Sequence, residues 1–211
     1  IELGLVGSEM CIRDSLLNVK KFENNSLYLV VLGGKAKKAN IEVHDVRWVV
    51  GSKIEDTYDS LRKNWFGSSE GLHIDSYKKI KYIDGYKINL INIETDKIER
   101  EQLVQNKAKN HLWFVNLGGY DPSSMQEKHE FGLVVAKDSL KAKKIAKSKW
   151  LLSYRKIHKD NLVSLRMISD VDDCKVIKII DNWEIELTIE NDYNEDSNPL
   201  DWNGYKRIDL N

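Results

Sequence analysis

Six consecutive apolar residues, Leu27 to Leu32, stop at Gly33-Gly34, a pattern that predicts a buried strand ended by a turn. From Glu42 to Val50 the chain alternates. His44, Val46, Trp48 and Val50 share one face and Val43, Asp45 and Arg47 the other, which predicts a second strand with His44 on its apolar, inward side. Ile54, Tyr58, Leu61 and Trp65 then recur at helical spacing and predict an amphipathic helix of about three turns. After a loop through Gly67 and Gly71, Lys78–Ile83 and Tyr86–Ile91 flank Asp84-Gly85, a strong two-residue hairpin signal. The order is β-β-α-β-β.

The same order recurs downstream. Leu112–Leu117 and Glu127–Ala136 read as strands, about Ser139–Leu152 as a helix, and Leu162–Ile168 and Lys175–Ile180 as strands again, with an extra strand at Trp183–Ile189 after Asp181-Asn182. Adding 85 to a position of the first half repeatedly returns the same residue: between Leu27 and Tyr86 there are 14 identities in 60 positions. They include Gly33 and Gly34 with Gly118 and Gly119, Trp65 with Trp150, His44 with His129, and His73 and Asp75 with His158 and Asp160. A fixed period of this length marks a duplicated unit. The expected fold is α+β, a tandem duplication in which each helix packs on a mainly antiparallel sheet, in a pseudo-two-fold arrangement. A ubiquitin-like roll and a ferredoxin-like variant both fit that order. The expected organisation is an uncertain segment at 16–26, repeat units at 27–91 and 112–189, a polar linker at 92–111, and a tail at 190–211, acidic first and then aromatic through Trp202 and Tyr205.

The segments L-G-G, H-D-V-R-W-V-V-G and N-W-F-G through H-I-D of the first copy, with V-N-L-G-G-Y, H-E-F-G-L-V-V-A and V-D-D-C of the second, resemble the bacterial domain of unknown function family numbered 1543. That resemblance implies a small bacterial protein carrying one or two copies of this unit, and it implies no activity. Leu5–Ser15 is similar to a translated transposase adapter from sequencing libraries, so residues 1–15 are set outside the fold argument.

Without that segment, which holds Arg13 against Glu2, Glu9 and Asp14, 32 basic and 30 acidic residues remain and Cys174 is the one cysteine left. Near-neutral charge argues against a protein built wholly around nucleic acid, and a lone cysteine allows no internal disulfide. No run of about 18 apolar residues is present, and the expected setting is cytoplasmic, with no membrane partner. Charge is nevertheless uneven. Lys137–Arg166 carries ten Lys and Arg against two Asp, whereas Asp170–Asp201 carries eleven acidic residues against Lys175 and Lys178. Lys141, Lys143, Lys144, Lys147 and Lys149 on the second helix are the phosphate-contacting candidates, although the first helix has Glu55, Asp56 and Asp59 there instead. A solvated face is the favoured reading of those lysines.

The candidate site is the repeated set His44, His73, Asp75 and His129, His158, Asp160. Two imidazoles and a carboxylate that converge can hold a divalent metal or position an acid/base pair. They can equally be a buried imidazole whose tautomer an aspartate fixes, because buried polar groups must be paired. Gly33, Gly34, Gly118, Gly119, Trp65 and Trp150 read as structural anchors, the glycines as turns and the tryptophans as core. Asp170, Asp172 and Asp173 with Cys174 read as a turn cluster and a packed thiol. No cofactor is assigned beyond a divalent metal as the one this set suits. The expected role is a non-catalytic binding or interaction module with a protein partner or self-association. The alternatives are a metal-assisted hydrolase and nucleic-acid binding through the lysine-bearing helix.

Overall fold

The computed structural model describes residues 25–94, 110–120, 125, 127–157, 171–190 and 200–209. The adapter-like segment, most of the linker, the Leu162–Ile168 strand, His158, Asp160 and the acidic tail lie outside them. The architecture is α+β and mainly antiparallel. Two compact units divide the chain, one holding Ile1–Lys79 with Asp201–Asn211 and the other Ile80–Leu200.

In the first unit β1 (Ser26–Gly34), β2 (Val43–Gly51), β3 (His73–Ile80) and β11 (Trp202–Arg207) form one sheet in the order β11-β3-β1-β2. β1 and β2 are antiparallel, in a register that sets Tyr28 opposite Val49, Leu32 opposite Asp45 and Gly33 opposite His44. A 3-10 turn (Ile54–Thr57) leads into α1 (Tyr58–Asn64), and the expected stripe of Ile54, Leu61 and Trp65 packs on Tyr28, Val30, Leu32, Val49, Leu72, Ile74 and Ile208. Burying a side chain such as Leu61 or Ile74 stabilises the unit by about 1.5–3 kcal/mol each.

Two expectations are overturned here. The inward face of β2 is the Val43 and Val49 face, because those positions lie opposite Gly34 and Tyr28 on the helix-covered side of β1; His44 points the other way. Gly33 and Gly34 lie within β1, and Gly118 and Gly119 within β6 (His111–Tyr120), so none of them makes a turn. Close approach explains the first pair. A Cβ on Gly34 would sit 2.9 Å from the Trp65 ring, and one on Gly33 would sit 2.5 Å from Nε2 of His73. Trp65 is core, as expected, and in the second unit Trp150 packs over Gly132, where a Cβ would be 2.7 Å from its ring.

The second unit holds two sheets. β7 (Glu127–Ala136), β6 and β8 (Val171–Ile177) form one in the order β7-β6-β8, all antiparallel neighbours. α2 (Ser139–Ile157) covers it, with Ala142 and Ala146 fully buried against Val115, Leu117 and Val134. The carboxylate of Asp138 caps this helix, accepting the Lys141 N–H at 2.8 Å. β4 (Tyr82–Ile83), β5 (Tyr86–Asn92), β9 (Ile179–Ile180) and β10 (Trp183–Ile189) make the other sheet, in the order β4-β5-β10-β9. Trp183–Ile189, expected as an addition, is therefore the counterpart of β5. Each hairpin closes the same way: the Ile88 N–H donates to the Lys81 carbonyl and the Ile185 N–H to the Lys178 carbonyl, both at 2.8 Å. β5 and β10 pair antiparallel about Asn89 and Glu186, from Tyr86 opposite Ile189 to Asn92 opposite Trp183.

Those hairpins also expose a change of register between the copies. Ile80, Lys81, Ile83, Asp84, Ile88 and Leu90 repeat as Ile177, Lys178, Ile180, Asp181, Ile185 and Leu187, 97 positions on rather than 85. The longer second helix and the residues after it take up the difference.

Asp84 does two things at the first hairpin. It adopts φ 52° beside Gly85 at φ 77°, the left-handed pair that a tight two-residue turn requires. Its carboxylate accepts the Val135 N–H at 2.7 Å and pairs with the Lys149 ammonium, locking the turn onto β7 and α2. Asp84→Ala should cost about 2–3 kcal/mol in denaturant unfolding, and Asp84→Asn, which keeps an acceptor and tolerates that φ, about half as much. Equal losses from the two variants would contradict this account.

Candidate functional site

On the face of the first sheet away from α1, β2 and β3 bring four titratable side chains together. Glu42 stands just before β2, His44 is its second residue, and His73 and Asp75 are the first and third residues of β3. Nε2 of His44 lies 3.3 Å from Oδ2 of Asp75 and 3.6 Å from Oε2 of Glu42. Nε2 of His73 lies 3.2 Å from Oδ1 of Asp75 and 3.4 Å from Oε1 of Glu42. Both imidazoles thus address the same two carboxylates. The expected proximity of His44, His73 and Asp75 is what the structure places there.

Exposure differs sharply within the group. His73 is 1% exposed, whereas His44, Glu42 and Asp75 are 53%, 46% and 29% exposed. His73 is enclosed from three directions. Gly33 lies beneath it with no side chain to intervene, the Tyr205 ring of β11 lies against it at a tilt of 37° with ring centroids 4.1 Å apart, and its Nδ1 lies 2.8 Å from the Gly71 carbonyl oxygen. A carbonyl only accepts, so Nδ1 carries a proton and donates it. Gly71 is itself fixed. It takes φ 79°, a left-handed conformation suited to glycine, and its N–H donates to Oδ2 of Asp209 at 2.7 Å.

Asp209 is paired through both oxygens with Arg207, at 2.9 Å and 2.6 Å. That guanidinium, and next the Gly71 N–H, hold its carboxyl well below the usual carboxylate range. A carboxyl depressed in the folded state contributes stability that is present above its unfolded pKa and is lost as pH falls toward its folded one. Acidification below about pH 4 should therefore loosen this anchor.

The second copy keeps part of the set. His129 is opposite Gly118 on β6, as His44 is opposite Gly33. Its Nε2 lies 3.9 Å from Oε2 of Glu127, Asn116 Nδ2 approaches its Nδ1 at 3.4 Å, and it is 46% exposed, so it too is not inward. His158 and Asp160 lie outside the described residues. In the 97-residue register, Asp170 and Asp172 stand where His73 and Asp75 stand in the first copy.

Sequence reasoning missed Glu42, Gly71 and Tyr205. For Glu42 the signal was present: Glu42 and Glu127 are also 85 apart, each two residues before its histidine. Tyr205 and Gly71 have no such mark, since their roles depend on where β11 pairs. Elsewhere, burial raises the Cys174 thiol above its ordinary pKa, which lowers its thiolate fraction, and the half-buried side chain packs at the edge of the core beneath α2. Among the described residues no group of three or more His, Cys, Asp or Glu side chains is placed to hold a metal ion, and no described helix is long and apolar enough to cross a membrane.

A family model for a domain of unknown function, DUF1543, matches residues 39–90 and 124–187, more than half of the chain. The two matched segments begin 85 residues apart and end 97 apart, the same change of register that the hairpins show. Among solved structures, protein Il1583 from Idiomarina loihiensis is 30% identical, with a TM-score of 0.60 over 87% of this chain and 97% of that one. No functionally curated protein matches the chain.

Gly33→Ala tests how the site is built. Its Cβ would meet Nε2 of His73 at 2.5 Å and Oδ2 of Asp75 at 2.9 Å, so the expected result is a loss of about 1–3 kcal/mol together with displacement of His73 into solvent. An unchanged melting curve with unchanged imidazole resonances would contradict the close approach.

Proposed function

The chain belongs to the DUF1543 family, and from that premise we propose that it is a non-catalytic binding module whose ligand is taken by Glu42, His44, His73 and Asp75. The observation that carries this reading is that both imidazoles face the same two carboxylates on an open sheet face. With uncharged rings the group is four electron-pair donors bearing two negative charges. Such a group recognises a cation. Catalysis is less well supported, because a general base must reach a substrate proton, and His73 is enclosed while the exposed His44 faces the carboxylates.

The proposal includes the architecture. The element order supports a tandem β-β-α-β-β duplication, and the mirrored β4-β5-β10-β9 order supports a pseudo-two-fold centred on the β5 and β10 pairing. Residues 27–91 and 112–189 remain the repeat units of this reading, with their hairpins pairing to each other. The second copy, with aspartates at the His73 and Asp75 positions, is the less suited to holding the same ligand. Nucleic-acid binding through α2 draws less support, since Lys149 is taken up by Asp84.

The test is thermal unfolding with ammonium, guanidinium, divalent metal ions and, as anions, phosphate and sulfate. A cation present at a hundred times its Kd should raise Tm by roughly 5–10 °C. The shift should vanish in a Glu42→Gln/His44→Ala double variant, and anions should give none. A panel without any cation response, or a response that survives the double variant, contradicts the reading. Turnover of nitrophenyl esters or phosphoesters that is lost with His73→Ala would replace it with the catalytic alternative.

A further inference from the structure

We propose that the cation taken by Glu42, His44, His73 and Asp75 is a guanidinium group, the head group of arginine. This rests on the reading of these residues as the binding site and names the chemical class of its ligand. The acceptors do not converge on one point as metal ligands do. Nε2 of His73 faces Oδ1 of Asp75 at 3.2 Å and Oε1 of Glu42 at 3.4 Å, whereas Nε2 of His44 faces Oδ2 of Asp75 at 3.3 Å and Oε2 of Glu42 at 3.6 Å. Four separate carboxylate oxygens are thus presented, and among the described residues no group of three or more His, Cys, Asp or Glu side chains is placed to hold a metal ion. Spread acceptors suit a cation that binds through several N–H donors, each with its own acceptor.

Two features select guanidinium over ammonium. Glu42 and Asp75 each turn both oxygens into the group, one toward either ring. A guanidinium has two edges that can each take a carboxylate through a pair of N–H groups, whereas an ammonium acts as a point charge with three donors. Tyr205 is the second feature. Its ring lies against His73 with centroids 4.1 Å apart, yet the residue is 64% exposed, so an open aromatic surface borders the group. Guanidinium stacks on aromatic rings as well as pairing with carboxylates.

His73 shows independently of the charge that a donor is missing. The ring is 1% exposed, and its Nδ1 proton is committed to the Gly71 carbonyl at 2.8 Å. The Arg207, Asp209 and Gly71 chain fixes that carbonyl in turn, so the ring is oriented before any ligand arrives. Nε2 is then a buried acceptor facing carboxylate oxygens, which also only accept. A buried acceptor without a donor is costly, and an N–H of the bound guanidinium supplies one. The ligand cancels one of the two carboxylate charges. The other is left beside Glu42 and His44, where the site is open to water.

The experiment titrates the full chain with methylguanidinium, methylammonium, free arginine and Nα-acetyl-arginine amide, followed by imidazole nitrogen resonances at a pH of about 8, where an ordinary imidazole is uncharged. Methylguanidinium should bind about tenfold tighter than methylammonium and shift the Nε2 resonance of His73. Glu42→Gln and Asp75→Asn should each weaken it about tenfold, with circular dichroism unchanged for Glu42→Gln because that side chain is exposed. Tyr205→Leu should narrow the preference over methylammonium, and His129→Ala should change nothing. Free arginine binding tighter than its capped amide marks a small-molecule source of the guanidinium, and the reverse order marks an arginine within a protein; either result supports the assignment. Methylammonium binding as tightly as methylguanidinium, no methylguanidinium binding, or binding indifferent to both Glu42→Gln and Asp75→Asn overturns it. If in that case another cation stabilises the wild type but not the Glu42→Gln/His44→Ala variant, the binding reading stands without guanidinium. If none does, both fall.

Discussion

His73 can be buried against the first sheet only because Gly33 has no side chain. The ring occupies the volume that a Cβ would take, with Asp75 alongside, and everything else in the site follows from that contact. The ring's depth puts Nδ1 within reach of the Gly71 carbonyl, and that fixes which nitrogen faces outward. It also leaves an aromatic surface for Tyr205, so that ring covers His73 while β11 pairs with the edge of β3. An imidazole buried this way would be costly without partners; the Gly71 carbonyl takes the Nδ1 proton, and the Nε2 lone pair is turned to the two carboxylates, where a bound cation would meet all three.

The same face-by-face logic separates the sheet's two jobs. Tyr28, Val30 and Leu32 of β1 meet α1 and make the core, while Gly33 on the opposite face makes the site. Stability and binding chemistry thus reside on opposite surfaces of one sheet. Substitutions on the exposed rim, at Glu42 or His44, leave the core untouched, whereas a side chain at Gly33 disturbs the site directly.

Much of the fold was legible because periodicity and turn chemistry are local. The amphipathic stripe through Ile54, Leu61 and Trp65, the Asp84-Gly85 hairpin and the Trp183–Ile189 strand all appear where the pattern puts them. The burial of β2 was not legible. A period of two says which residues share a face, but the partner strand decides which face the helix covers, and β1 selects Val43 and Val49 over His44. The glycine pairs misled for a related reason: a glycine needed for close approach looks identical in sequence to one needed for a turn. A constant offset of 85 also fails beyond the helix, where the hairpins align at 97. The convergence of His44, His73 and Asp75 was readable from spacing and chemistry, while Glu42 went unremarked although it repeats beside its histidine.

The account turns on His73 being held as an Nδ1–H donor to Gly71 with its other nitrogen turned to the carboxylates. Imidazole nitrogen resonances of the wild-type protein, read through long-range proton–nitrogen correlations, test that most directly. The account predicts that His73 keeps a proton on Nδ1 that exchanges slowly with solvent, as befits a ring 1% exposed, while His44 exchanges rapidly. A His73 ring carrying its only proton on Nε2, or exchanging as fast as His44, would contradict it.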